Sequence, residues 1–254
     1  MNDSDAISRR RFLIGGGAAL AGLVLPGCGK TPVPPTYGNI LRMGDDLTYL
    51  AQRALLPGQS LVPEYRLRDI SSFPATGSVT PEIPGKRGYS ADYRDLQKRG
   101  FADWRLAIEG AVDRPGSWSI PELKRLPART QITRHTCEEG WTAIAEWTGV
   151  PLSHLLVAAG IRRSACCICV HTYDEAVVHT FDMLDALHPQ TLLAYQMNGR
   201  DLLIRHGAPL RLRMETQIGY QSRKFLKRIV VKDVFDDGGV NRVNAKGWAW
   251  YTGI

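Results

Sequence analysis

The chain has 254 residues, of which 44% are hydrophobic and 22% charged, with 25 Gly and 15 Pro. That length suffices for one large core or two small ones, and the Gly and Pro content favours many turns and short elements over long helices. The formal charge of +7 is scattered over pairs such as Arg162-Arg163, Arg223-Lys224 and Lys227-Arg228, which excludes an extended nucleic-acid stripe with interleaved aromatics and leaves room for a local anion site.

Ser8-Arg9-Arg10-Arg11-Phe12-Leu13 precedes an apolar, Gly/Ala-rich run from Ile14 to Leu25. The run is too short and too rich in glycine for a membrane span. A charged start before a short apolar core reads as an export signal, and the paired arginines followed by Phe-Leu resemble a twin-arginine signal. That route carries folded proteins, commonly because a cofactor has been inserted beforehand. Leu25-Pro26-Gly27-Cys28 resembles a lipobox, with Cys28 as the lipidated residue. Residues 29–60 read as a Pro-rich tether and a short amphipathic helix (Leu47, Leu50, Ala51, Ala54, Leu55) stopped by Pro57-Gly58. The main domain then spans 61–254.

Residues 61–95 read as a long irregular segment, the kind that wraps something or serves a site. Trp104–Gly110 alternates as a strand, and Val112–Gly116 is a turn. Ser119–Leu126 is a short helix with a Ser cap and Pro121 in its first turn. Gln131–Thr136 is a strand that delivers Cys137 at its end. The stretch after Trp141 reads as a small-residue turn. Leu152–Gly160 is a helix ending on glycine. Strands follow at Cys166–Thr172 and Val177–Phe181, a helical turn at Met183–Leu187, and a strand at Thr191–Met197. Asn198-Gly199 marks a hairpin. Strands at Leu210–Met214 and Phe225–Lys232 complete the series, and the aromatic tail Trp248–Tyr251 packs down. Many short strands with a few short helices make an α+β fold of predominant β character.

The five cysteines divide unevenly. Cys28 belongs to the leader. Cys166, Cys167 and Cys169 lack the two-residue spacings of zinc sites and read as small hydrophobes in a buried strand. Cys137 lies between Arg134-His135 and Glu138-Glu139, which pull a thiol pKa in opposite directions, so nucleophile, metal ligand and redox thiol all stay open. A nucleophile would need a base such as His171, His179 or His206. Arg211 follows the tight turn His206–Pro209, and a glycine-opened loop gathers Ser222, Arg223 and Lys224. That set suits a phosphate or a polar heterocycle; a solvated basic face would carry the same residues.

Taken in order, several motifs resemble the sulfite oxidase superfamily. They are Cys137-x-x-Gly140-Trp141, Trp147-Thr148-Gly149-Val150-Pro151-Leu152, His188-Pro189, Leu192-Leu193-Ala194-Tyr195-x-Met197-Asn198-Gly199, His206-Gly207-x-Pro209-Leu210-Arg211 and the Gly219–Lys224 loop. The nearest branch is the exported bacterial one that includes periplasmic methionine-sulfoxide reductase catalytic subunits. The resemblance runs from about residue 100 to 254, with a weaker trace back to about 60.

This resemblance implies a sulfite-oxidase-like molybdopterin-binding fold over 61–254. It implies molybdenum bound by the Cys137 thiolate beside the dithiolene of one molybdopterin, a soft ligand apt for that metal. It places cofactor contacts at Thr172, His206, Arg211, Ser222, Arg223 and Lys224. The implied reaction is oxygen-atom or two-electron transfer, S-oxide reduction among the options. Without a C-x-x-C-H haem signature, electrons would come from a membrane cytochrome or quinone-linked partner, at the periplasmic side of the cytoplasmic membrane. Two departures stand out. Ser90–Arg94 does not match the Asn-rich aromatic motif of the methionine-sulfoxide type, so no pterin contact is assigned there. Ala176–Phe181 lacks the tyrosine of the sulfite-oxidising branch, which argues against sulfite. Asp174 and His179 are the candidates for the substrate side. A cysteine-dependent hydrolase and a non-catalytic anion-binding lipoprotein are the alternatives.

Overall fold

The computed structural model describes residues 37–56, 60–174, 178–235 and 249–254. The expected twin-arginine leader, lipobox and tether through residue 36 lie outside them, as do Pro57-Gly58, Ala176-Val177 and Trp248. Among the described residues no helix is long and apolar enough to cross a membrane.

Two five-stranded sheets form the body. In the first, β1 (Leu106–Gly110) lies between β2 (Gly116–Trp118) and β10 (Leu226–Lys232), and the order continues to β5 (Cys167–Thr172) and β6 (His179–Asp182). The β1–β10 pair is parallel, joining chain segments far apart in sequence, and the other pairs are antiparallel. The second sheet is antiparallel: β3 (Arg129–Thr136), β4 (Thr142–Pro151), β7 (Leu192–Met197) and β8 (Arg200–Asp201), with β9 (Arg211–Arg213) also on β7. The main core joins Leu106 and Ile108 of β1, Ile168 and Val170 of β5, Ile229 of β10 and the buried face of α4 (Leu152–Ala159). A smaller core surrounds Trp147 with Ala145, Leu192, Ala194, Leu202 and Ala208. Cys167 and Cys169 are buried on β5, as their apolar setting predicts.

Three elements differ from the sequence expectation. Residues 142–146 are the first half of β4, because Ala143, Ala145 and Trp147 alternate inward with period 2; small side chains in a strand imitate a turn. The turn comes earlier, at 137–141, where Cys137 N–H donates to Trp141 O (2.9 Å) and Gly140 N–H to Cys137 O (3.1 Å). The expected turn at 112–116 contains the start of β2. Within the expected irregular segment, α2 (Ala91–Lys98) begins at Ser90, whose hydroxyl accepts from Tyr93 N–H at 3.3 Å. The short helix α3 (Ile120–Leu123) carries the expected Ser119 cap, with Glu122 closing a capping box.

Gly149 marks a required close approach. The β4–β7 register shifts between Thr148 and Gly149, and a Cβ on Gly149 would stand 2.2 Å from Leu193 O. The amphipathic helix extends over Tyr37–Leu55 as α1. Tyr49 Oη donates to Asp182 (2.8 Å), and the Arg53 guanidinium pairs with Asp182 (3.0 Å) and Asp185 (2.8 Å). These bonds fix α1 to the junction of β6 and α5 (Met183–Ala186), where Asp182 also caps α5.

Candidate active site

Cys137 occupies the bend of the β3–β4 hairpin, and its side chain lines a cavity of about 120 Å³. The cavity is lined by five further pieces of chain: the stretch 73–78, Arg87, Asp174 just past β5, the turn around His206 that leads into β9, and the loop 219–224 between β9 and β10. The thiol is 6% exposed. Burial pushes its pKa up, and Glu138, whose carboxylate accepts the thiol hydrogen at 3.4 Å, adds to that against the opposing pull of the Glu139 N–H. The thiol's hydrogen-bond partner is thus a carboxylate, whereas a cysteine nucleophile is ordinarily paired with an imidazole.

The structure gathers Cys137, His206, Arg211, Ser222, Arg223 and Lys224 around this one cavity, and Asp174 with them. Thr172 stands one step behind: its hydroxyl donates to Asp174 in a short contact. His179 is buried and is not among the residues lining the cavity, with Nδ1 2.8 Å from Gln221 Oε1.

Each basic group has a distinct setting. Arg211 donates from Nη1 to His206 O and from Nη2 to Ser222 O, both at 3.0 Å, and lies 4.9 Å from the Trp147 ring centroid. It forms no ion pair among the described residues, and its Nε is buried without a partner. Burial and the neighbouring Arg213 depress its pKa. Arg223 reaches Asp174 at 3.6 Å, and its Nε is likewise unpartnered. Lys224 Nζ donates to Thr76 O (2.8 Å), to Ser78 O in a short contact, and to Arg205 O (3.2 Å). An ammonium has three N–H donors, so all of them are engaged with backbone carbonyls. Burial, reinforced by Arg211, brings the Lys224 pKa down to about 7. His206 is lowered to about 4 by burial and by Arg211. The Ser222 hydroxyl accepts from Met214 N–H at 3.1 Å, which ties the loop to β9.

Sequence reasoning missed Phe73, and it named His135 and Trp141 only as a neighbour of Cys137 and a motif residue, without a role in the site. The rings of His135, Trp141, Trp147 and His206 surround Phe73 at centroid distances of 5.1 to 5.8 Å. The irregular segment 61–95 pointed to a wrapping role but to no residue within it. For His135 the available signal was its position two residues before Cys137, on the same side of the strand.

Buried positive charge without a matching carboxylate is costly. Arg211 and Arg223 together with their unpartnered Nε atoms fit an anionic guest, and Cys137 offers a soft sulfur donor. The residues present therefore fit a phosphate-bearing dithiolene cofactor that holds a thiophilic metal.

Comparison with known proteins bears on the family of the chain. Residues 94–238 match the family of oxidoreductase molybdopterin binding domains. Over 245 residues, 96% of this chain and 87% of the relative, the chain is 30% identical to a protein of Azospira oryzae provisionally named protein-methionine-sulfoxide reductase subunit YedZ1. It is 31% identical over 148 residues to the protein-methionine-sulfoxide reductase catalytic subunit MsrP of Xanthomonas campestris pv. campestris, covering 51% of this chain and 45% of that one. Among solved structures, the sulfane dehydrogenase SoxCD from Paracoccus pantotrophus aligns with 27% identity and a TM-score of 0.49, over 52% of this chain and 38% of that chain. The chain belongs to the oxidoreductase molybdopterin-binding domain family of the sulfite oxidase superfamily, and it is an oxidoreductase.

Proposed function

We propose that this chain reduces S-oxides by oxygen-atom transfer at molybdenum ligated by Cys137, on the periplasmic side of the membrane, with electrons from a membrane cytochrome or quinone-linked subunit. The observation that carries the reading is one cavity that combines the Cys137 sulfur with the Arg223 loop and with Arg211, which has no ion pair among the described residues. The names of the Azospira and Xanthomonas relatives support S-oxide as the substrate class. The Ser8–Leu13 sequence supports twin-arginine export, and Leu25–Cys28 supports a lipid anchor at Cys28.

When bound, molybdopterin-held molybdenum supplies two-electron oxygen-atom chemistry. The chain's own groups do the rest. Cys137 Sγ must lose its proton to ligate, and the Glu138 carboxylate at 3.4 Å is placed to receive it. Arg211, Arg223 and His206 would hold the anionic end of the cofactor, and Thr172 steadies Asp174 opposite Arg223. Ser222 fixes the loop, and Lys224 holds 76–78 over the cavity. Phe73 and Trp141 form an apolar wall of the cavity that would limit water there.

The test is elemental and pterin analysis of protein exported from a molybdate-supplied host, with dye-coupled assays on methionine sulfoxide, an N-oxide and sulfite. About one molybdenum per chain, lost in Cys137→Ser, is expected. Folded, exported protein that contains neither molybdenum nor pterin overturns the reading. Turnover of sulfite but not of S-oxides would overturn the substrate assignment alone.

A further inference from the structure

His135 Nδ1 lies 2.7 Å from Arg213 Nη1. A guanidinium has only donors, so Nδ1 is the accepting lone pair and the proton of the neutral ring sits on Nε2. Arg213 has no freedom to leave. Its Nε and Nη2 are bonded to the two Glu215 oxygens at 3.0 and 2.7 Å, its guanidinium lies 4.5 Å from the Trp147 ring centroid, and it is 1% exposed. The other side of the ring faces Gly219: a Cβ there would stand 2.7 Å from His135 Nε2. Both residues line the cavity that holds Cys137. Among the described residues Nε2–H has no acceptor, although the whole of Arg213–Glu215 is arranged to present it.

A buried ion pair is an expensive way to pack one ring, because desolvation offsets most of its attraction. Its effect here is to remove one of the two tautomers of His135. We propose that His135 Nε2–H is a fixed hydrogen-bond donor to an electron-rich heteroatom of the cofactor held in this cavity. Arg213 and Glu215 are positioning residues that set the tautomer, and Gly219 keeps the approach to Nε2 open. The inference rests on the molybdopterin reading of the site.

Three variants test it. His135→Phe keeps the ring and its contacts to Phe73 and Trp141 but has no donor. His135→Gln restores an N–H close to the place of Nε2. Gly219→Ala crowds Nε2 while the Arg213 and Glu215 side chains are kept. The readouts are pterin and molybdenum retained per chain after extended dialysis, the Mo(V) electron paramagnetic resonance signal, the melting temperature of cofactor-free protein, and ring ¹⁵N spectra of His135. Retention should fall about tenfold in His135→Phe and Gly219→Ala, the order expected for one hydrogen bond to a buried acceptor, and stay near wild type in His135→Gln. The ¹⁵N spectra should place the proton on Nε2. A His135→Phe protein that retains cofactor with an unchanged Mo(V) signal overturns the proposal, as does a proton on Nδ1. Equal loss in the Phe and Gln variants, with lowered melting temperatures in both, reduces His135 to packing and overturns it too. Wild-type protein without molybdenum or pterin overturns the site reading, and this proposal with it.

Discussion

Lys224 Nζ lies 2.8 Å from the carbonyl oxygen of Thr76, a residue 148 positions upstream. With Ser78 O and Arg205 O completing its contacts, this lysine is the clasp that draws the irregular segment over the cavity. Charge-assisted bonds to backbone carbonyls are among the stronger contacts a lysine can make. Lys224→Ala should therefore lower stability by about 1–3 kcal/mol and expose the 73–88 segment to limited proteolysis. Unchanged cleavage there would show that the segment is held by its other contacts.

Arg211 makes the opposite prediction for stability. It is buried, it has no carboxylate partner among the described residues, and its Nε is unsatisfied. Replacing such a group by an apolar side chain of similar length relieves a desolvation penalty. Arg211→Met should leave the cofactor-free protein as stable as wild type or up to about 1 kcal/mol more stable, while cofactor retention collapses. Denaturant titration and pterin analysis on the same preparations check both halves. A strongly destabilised Arg211→Met protein would mean that the bonds to His206 O and Ser222 O serve the fold first.

Arg53 neutralises Asp182 and Asp185 together. Removing it leaves two buried carboxylates facing one another. Arg53→Met should cost about 3–5 kcal/mol and raise hydrogen exchange across α1. Exchange in β5, which does not touch Arg53, should respond only through global opening.

The depressed histidines predict acid sensitivity with a definite sign. The His206 pKa lies at about 4 in the fold against an ordinary 6.5, through burial and the adjacent Arg211. The unfolded chain takes up that proton first, so stability is full above 6.5 and is lost as pH falls from 6.5 towards 4. Below 4 this group contributes no further slope. His135, held down to about 2 by burial and by Arg213, extends the loss to lower pH. His206→Asn should flatten the stability profile between pH 6.5 and 4, read by urea midpoints. An unchanged slope would assign the acid sensitivity to other groups.

Several features were legible locally. Asn198-Gly199 takes positive φ at both residues (51° and 71°), as a two-residue hairpin turn requires, and Ser119 and Gly160 cap their helices where the pattern places them. The strand Gln131–Thr136 delivers Cys137 at a strand end, and the ordered motifs identify the superfamily. These follow from preferences acting over a few residues. The small-residue strand 142–146 was not legible, because Ala143 and Ala145 become strand positions only through pairing with β3 and packing beside Trp147.

The sequence by itself determined the class of fold, the isolation of Cys137 from the other cysteines and the presence of a basic loop after Arg211. Only the tertiary structure decided what those groups do to one another. It turned the donors of Lys224 to backbone carbonyls, gave Arg211 no ion pair among the described residues, and set Arg213 against His135 across 78 positions of chain. The physical reason is that backbone preference fades within a turn or two, whereas burial and strand register are properties of the whole packed domain. A charged side chain has its role assigned by whatever partner the fold places within about 3 Å of it.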